Sequence, residues 1–220
     1  MNEISAILLA GGRGARMGGI DKPRLEVGGR TLLDAAIAAA GAVGAHPIVA
    51  VGPAARPSVA PTVSPAVEPA AVTWVREDPP FGGPVAAIIA ALPHVTASRT
   101  LVLACDLPNV AVAVQLLCGA PFEGDGACLV DATGHSQWLI GLYRTDALRA
   151  AAADLPRGGE DASVKSLLAQ LALTRVPASD HPGSASTFDD CTFDDDPTFD
   201  IDTWDDLTEA RRVDAKRRDP

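Results

Sequence analysis

Two stretches of this chain have residue types and spacings suited to chemistry. The first runs from Ile7 to Leu25, ILLAGGRGARMGGIDKPRL. The apolar residues 6–10, ending in Leu9 and Ala10, predict a buried strand. Gly11, Gly12, Gly14, Gly18 and Gly19 follow, interleaved with Arg13, Arg16 and Lys22. Glycines let backbone N–H groups approach an anion closely. Guanidinium and ammonium groups in the same turn supply the counter-charge. The chemistry this favours is phosphate binding. A surface turn with solvated basic residues is the bland alternative, but it does not need glycines and charges at this spacing. The common phosphate loops do not match. The Walker pattern needs Gly-Lys followed by Ser or Thr, whereas Lys22 lies between Asp21 and Pro23. The dinucleotide fingerprint needs a third glycine, where Met17 stands here.

The second stretch is ACDLP, Ala104 to Pro108. An acidic residue directly after a buried strand sits at the carboxyl edge of a sheet, where ligands bind in open α/β folds. A carboxylate there is a good hard-oxygen ligand for Mg²⁺. The alternative role for Asp106 is to cap the helix that begins near Asn109.

These residues need a sheet to hold them. Apolar segments of strand and helix length alternate along the chain, which predicts βαβ units and a mostly parallel sheet. Strands are expected at residues 6–10, 47–51, 72–75 and 100–104, with a strand pair at 127–130 and 137–143 and a short strand at 173–176. Helices are expected at 31–42, 84–92, 110–117, 145–153, 161–171 and 204–213, the last capped by Thr203 or Asp202. Residues 53–69 are proline-rich and predict a surface excursion. Residues 1–177 read as the core. Residues 178–199 are rich in Asp, Ser and Thr and read as a solvated, mobile segment. Residues 200–220 read as a C-terminal segment and helix packing back on the core.

Composition removes several function classes. Apolar residues make up 47% and aromatics only 4%, so the core is built from Ala, Val, Leu and Ile. The formal charge of -10 argues against nucleic acid as a partner, whose phosphates need a basic face. No apolar run approaches the roughly 18 residues of a membrane span. Glu3 precedes the first apolar run and no basic region does, which disfavours a signal peptide. Cys105, Cys118, Cys128 and Cys191 form no C-x-x-C pattern, which suits free thiols in a cytoplasmic protein.

The glycine-rich loop resembles the nucleotidyltransferase signature L-A-G-G-x-x-x-R-M-G-x-D-K, with one extra glycine before Ile20. Within that superfamily the chain is most similar to molybdenum cofactor guanylyltransferases. The pairs Gly11-Gly12 and Asp21-Lys22 favour the guanylyl over the cytidylyl branch. The resemblance spans residues 4–209 and implies an α/β fold of three layers, α/β/α, with a mostly parallel, Rossmann-like sheet. It implies transfer of GMP from GTP to molybdopterin with release of pyrophosphate. Arg16, Lys22 and Asp106 take the catalytic positions. Leu9, Ala10, Gly11, Gly12, Arg13, Gly14 and Lys22 match the phosphate loop. ACDLP resembles the family's C-D-x-P motif, which makes Asp106 the Mg²⁺ ligand. The stretch from Glu77 to Ala87 resembles the family's D…G-x-G-P-L-A-G segment, which assigns Asp78, Gly82, Gly83 and Pro84 to the guanine and ribose pocket. A carboxylate accepts well from the guanine N1–H and amine. The stretch from Asp200 to Leu207 resembles the family's N-x-N-T-P-E-D-L, with aspartates for both asparagines and Trp204 for proline, and offers Asp202 as a second metal ligand. The strand 137–144 lacks the family's His-Pro on the pterin side. The stretch from Gly158 to Leu168 resembles the family's G-E-R-x-x-x-x-L helix and offers Lys165 as a candidate contact to the acceptor phosphate, against the stronger alternative of a solvated surface lysine. Partners implied are GTP, molybdopterin, and molybdopterin-synthesis or molybdoenzyme-maturation proteins. Rival readings are cytidylyl transfer to molybdopterin, guanylyl transfer to a phospholactate-type acceptor, a sugar-phosphate transferase, or a nucleotide-binding partner of molybdoenzymes.

Overall fold

The first strand, β1 (Ile4–Leu9), is buried at all six positions, and the molecule is built outward from it. A strand apolar on both faces must be covered on both. The computed structural model describes residues 3–12, 17–53, 72–121, 123–179 and 196–218. Nearly all of the proline-rich stretch expected at 53–69, and most of the acidic segment expected at 178–199, lie outside the described residues. The elements follow in chain order. After β1 come the short strands β2 (Glu26–Val27) and β3 (Arg30–Thr31), helix α1 (Leu32–Ala42), β4 (Ile48–Val51), β5 (Val72–Val75) and α2 (Gly83–Ala91). Then come β6 (Arg99–Ala104), α3 (Val110–Gly119), β7 (Gly126–Val130), β8 (Ser136–Arg144), α4 (Thr145–Ala153), α5 (Val164–Leu168), β9 (Leu173–Pro177) and α6 (Trp204–Arg218).

Seven strands form one sheet in the order β5-β4-β1-β6-β8-β7-β9. Pairings are parallel except on the two sides of β8, which is antiparallel to β6 and β7. Side chains alternate across the strands, as the pleat requires. Ala6 and Leu8 of β1 join Ile48, Ala50, Leu101 and Leu103 in a core covered by α1 and α3. Ile7 and Leu9 join Val49, Val51 and Val102 in a second core covered by α2, α4 and α5. The result is three layers with the sheet in the middle. Ser5 interrupts the apolar run of β1 without a penalty, because its buried hydroxyl accepts from the N–H groups of Ala97 (3.1 Å) and Thr96 (3.3 Å).

Chain order fixes where a ligand can enter. From β1 the chain steps outward through β4 to β5, then crosses back to β6 on the other side of β1. The crevice between the carboxyl ends of β1 and β6 is therefore the switch point of the sheet. Leu9 pairs with Ala104 there, and Cys105 N–H donates to Leu9 C=O at 3.2 Å.

Three differences from the sequence expectation have local causes. The helix expected at 161–171 is only Val164–Leu168. Asp161 takes a left-handed backbone (φ 56°), and Ser163 caps the shortened helix by accepting from Ser166 N–H. The ribbon β2–β3 carries two residues per strand, too short for any periodicity to announce. Asp106 does not cap α3, whose N-cap position is Asn109.

A third, smaller core lies beside the switch point. Met17 and Leu32 pack there with Ile201, Leu207 and Ala210, and with the partly buried Ile20, Leu25, Val27 and Phe199. It joins the chain after β1 to the C-terminal segment.

Candidate functional site

The parallel arrangement of β1, β4, β5 and β6 puts their carboxyl ends on one edge, and hydrogen bonds run along that edge. Gly52 N–H donates to Val75 C=O (3.1 Å), Ala10 N–H to Val51 C=O (2.9 Å) and Cys105 N–H to Leu9 C=O. The residues after these strands include Ala10, Gly11 and Gly12 after β1, Asp78 after β5 and Asp106 after β6. Gly82, Gly83 and Pro84 stand where α2 starts. All belong to the same rim. Arg13, Gly14 and Arg16 lie outside the described residues. The loop resumes at Met17, buried at 2% exposure, and turns through the left-handed Gly18 and Gly19 (φ 73° and 84°). A side chain at either would be strained.

Asp106 anchors the site. Its carboxyl oxygen Oδ1 is fully buried, with no hydrogen-bond partner among the described residues. Its backbone C=O accepts from Ile201 N–H at 3.0 Å, which seats the C-terminal segment against it. Residues 200–202 then form a local alternation. Ile201 is fully buried in the third core, so its neighbours Asp200 and Asp202 point the other way. Carboxylate oxygens of Asp106, Asp200 and Asp202 all lie within 4.8 Å of one another.

Lys22 completes the group. It opens a single 3-10 turn, Lys22–Arg24, with Pro23 fixing the backbone just inside. Its ammonium donates to Asp202 Oδ1 from 180 residues away in sequence. Asp202 is held at the backbone, since its N–H donates to Asp206 Oδ2 at 3.0 Å. The same oxygen accepts from Thr203 N–H, and Thr203 Oγ1 accepts from Asp206 N–H. That reciprocal pair is a capping box at the head of α6. Thr203 is therefore the cap, and the Asp202 carboxylate faces Lys22 and the cluster.

Three carboxylates around one ammonium disfavour full ionisation. Burial first, and then the Asp200 charge, raise the Asp106 carboxyl to about 6, with Lys22 opposing. Burial and the Asp202 charge likewise raise Asp200. A buried carboxylate oxygen with no donor is costly. A divalent cation that prefers oxygen would satisfy it. The residues present therefore fit a divalent metal.

The other positions expected from the sequence separate. Asp78 is exposed, while Glu77 Oε1 accepts from Phe81 N–H at 3.0 Å and so shapes the turn. Gly82 is buried, and a Cβ there would meet Ala86 Cβ at 2.9 Å. Lys165 is exposed on α5, in the layer covering the second core. Asp200 is the cluster member that the sequence alone did not assign to metal. The available signal was the Asp-Ile-Asp alternation, hidden in a region where aspartate is common.

Known proteins match this chain in sequence and in fold. A MobA-like NTP transferase domain matches residues 6–176. The chain is 30% identical over 226 residues to a molybdenum cofactor guanylyltransferase of Bradyrhizobium sp. (strain ORS 278), covering 96% of this chain and 93% of that protein. It is 32% identical over 188 residues to a probable molybdenum cofactor guanylyltransferase of Synechococcus elongatus, covering 81% and 90%. In fold it is similar to molybdopterin-guanine dinucleotide biosynthesis protein A from Archaeoglobus fulgidus, with TM-score 0.65, 21% identity and coverage of 96% and 99%. It is also similar to 2-C-methyl-D-erythritol 4-phosphate cytidylyltransferase from Thermus thermophilus, with TM-score 0.58, 19% identity and coverage of 97% and 99%. The chain belongs to the MobA-like NTP transferase family.

Proposed function

We propose that this chain transfers GMP from GTP to molybdopterin and releases pyrophosphate. The observation that carries the reading is the end-to-end similarity to a molybdenum cofactor guanylyltransferase, over 96% of this chain. An oxygen of the acceptor phosphate attacks the α-phosphorus of GTP. The bond from that phosphorus to the bridging oxygen breaks, and pyrophosphate leaves with the electron pair. Such chemistry needs in-line positioning and charge neutralisation more than a strong acid or base.

Residue roles follow from the family resemblance and, for the described residues, from place and charge. By the family resemblance, the backbone of Gly11 to Gly14 would cradle the β- and γ-phosphates, with Leu9, Ala10 and Arg13 belonging to the same loop in sequence. Arg16 and Lys22 neutralise charge on the α-phosphate and the departing pyrophosphate. Asp78, with Gly82, Gly83 and Pro84, receives the guanine and ribose. Asp106 and Asp202, joined by Asp200, would hold a divalent cation, Mg²⁺ in this reading, which supplies positive charge to phosphate oxygens. The same reading places the protein in the cytoplasm, in exchange with molybdopterin-synthesis or molybdoenzyme-maturation proteins.

Calorimetric titration with GTP, CTP, UTP and ATP, each with Mg²⁺, tests the reading. A GTP preference that Asp106→Ala removes is the expected result, followed by pyrophosphate release when molybdopterin is added. A CTP preference would transfer the assignment to cytidylyl transfer. No binding of any nucleotide would overturn it.

A further inference from the structure

The Lys22–Asp202 pair uses the same carboxylate that the metal cluster needs. Asp202 offers an oxygen to the group formed with Asp106 and Asp200, and its Oδ1 is also the acceptor for the Lys22 ammonium. Both side chains are partly buried, at 17% and 33% exposure, so their charges are screened less than at the open surface. A divalent cation among the three carboxylates would repel the ammonium and draw off the carboxylate charge that holds it.

The two partners are not equally free to move. Asp202 is fixed by its N–H bond to Asp206 and by the buried Ile201 beside it, whose N–H donates to Asp106 C=O. Lys22 has a flexible four-carbon stem. The lysine is therefore the partner that gives way.

We propose that Asp202 serves two partners in turn, holding the Lys22 ammonium before a divalent cation arrives and releasing it to the nucleotide phosphates once the cation joins Asp106, Asp200 and Asp202. Cation and nucleotide binding are then coupled through one ion pair, and each strengthens the other. The nucleotide's identity rests on the guanylyl reading; the exchange at Asp202 does not.

The test needs no nucleotide in its first arm. The chain has only three lysines, Lys22, Lys165 and Lys216, and the latter two are exposed, so they serve as internal controls. The full chain is acetylated briefly with an N-hydroxysuccinimide ester, with Mg²⁺ or with EDTA, and each lysine is quantified by peptide mass spectrometry. Mg²⁺ should raise Lys22 labelling by about fivefold, at the low end of ordinary coupling between sites, with Lys165 and Lys216 unchanged. Asp202→Asn should label at the higher rate in EDTA and not respond to Mg²⁺. A Lys22 rate in the wild-type chain that is unchanged or lowered by Mg²⁺ overturns the proposal, whatever the variant does.

The second arm is GTP calorimetry in EDTA. Asp202→Asn should bind GTP about fivefold more tightly than wild type, since Lys22 is released and one negative charge is gone. Weaker or equal binding by the variant counts against the exchange. If neither protein binds GTP with or without Mg²⁺ while Lys22 still responds to Mg²⁺, the guanylyl reading falls and the exchange at Asp202 stands.

Discussion

Asp106 carries the largest electrostatic liability in the site. Burial and Asp200 raise its carboxyl from the ordinary 3.8 to about 6. The folded value lies above the unfolded one, so ionised Asp106 opposes folding. That cost is fully present above pH 6, shrinks as pH falls from 6 towards 3.8, and is absent below. A rise of this size corresponds to ~3 kcal/mol. Asp106→Asn should therefore melt higher than wild type at pH 7.5 in EDTA, by roughly 2–4 °C per kcal/mol for a chain of this size. The advantage should fade when both are melted near pH 4. Mg²⁺ should raise the melting temperature of the wild type but not of the variant. Turnover should fall by orders of magnitude in Asp106→Asn, and also in Lys22→Ala with the fold intact. A wild type that outlasts the Asn variant at pH 7.5 in EDTA would contradict the burial argument. Asp106 was legible in the sequence because a carboxylate that directly ends an apolar strand must lie at the edge of the sheet where ligands bind. Asp200 was not, because its partners are set by a buried isoleucine and by residues some hundred positions away.

Elements position these residues through close backbone contacts. Gly52, at the exit of β4, has φ 149°, and a Cβ there would lie 2.7 Å from Ala10 C=O oxygen and 2.9 Å from Gly11 N. Neither backbone atom can yield without moving the start of the glycine-rich loop. Gly52→Ala should thus lower stability by about 2 kcal/mol or more and weaken GTP binding together with it. Unchanged calorimetric affinity would show that the loop tolerates displacement. Helix α6 acts on the other side of the site. Arg211 Nε donates to Glu26 C=O at 2.9 Å, and Arg218 donates to Gly28 C=O, so the ribbon β2–β3 is held from the C-terminus. Thr203→Ala removes the cap that starts this helix and should cost about 1 kcal/mol in denaturant unfolding. Helices with a clear apolar stripe could be read in advance: α4 runs from Thr145 to Ala153, as the spacing predicts. The ribbon could not, since its stability comes from arginines 185 and 190 residues further along.

At the scale of the molecule, the sheet and the carboxylate cluster depend on different parts of the chain. All seven strands of the main sheet lie between Ile4 and Pro177, and the matching family domain ends at residue 176. Two of the three clustered carboxylates, Asp200 and Asp202, come after both limits. The alternation of strands and helices made the sheet legible, because each element buries its own periodic face. The return of the C-terminal segment to β6 was legible only through motif resemblance. What brings it back is the third core, where Ile201 and Leu207 meet Met17 and Leu32. A chain ending at Ser179 loses Phe199, Ile201, Leu207 and Ala210 from that contact and exposes Met17 and Leu32. Each large apolar side chain so uncovered forfeits about 1.5–3 kcal/mol, while the two cores on the faces of the sheet keep their strands and covering helices. The shortened chain should therefore retain the helix and strand signal by circular dichroism, melt at a lower temperature, and bind Mg²⁺ and GTP far more weakly. Adding Asp200→Ala and Asp202→Ala to the full-length chain separates the two effects. If carboxylate loss alone explains the binding defect, the double variant should match the shortened chain in Mg²⁺ affinity while melting close to wild type. A double variant that still binds Mg²⁺ like wild type would leave Asp106 as the dominant ligand and assign the C-terminal segment to packing.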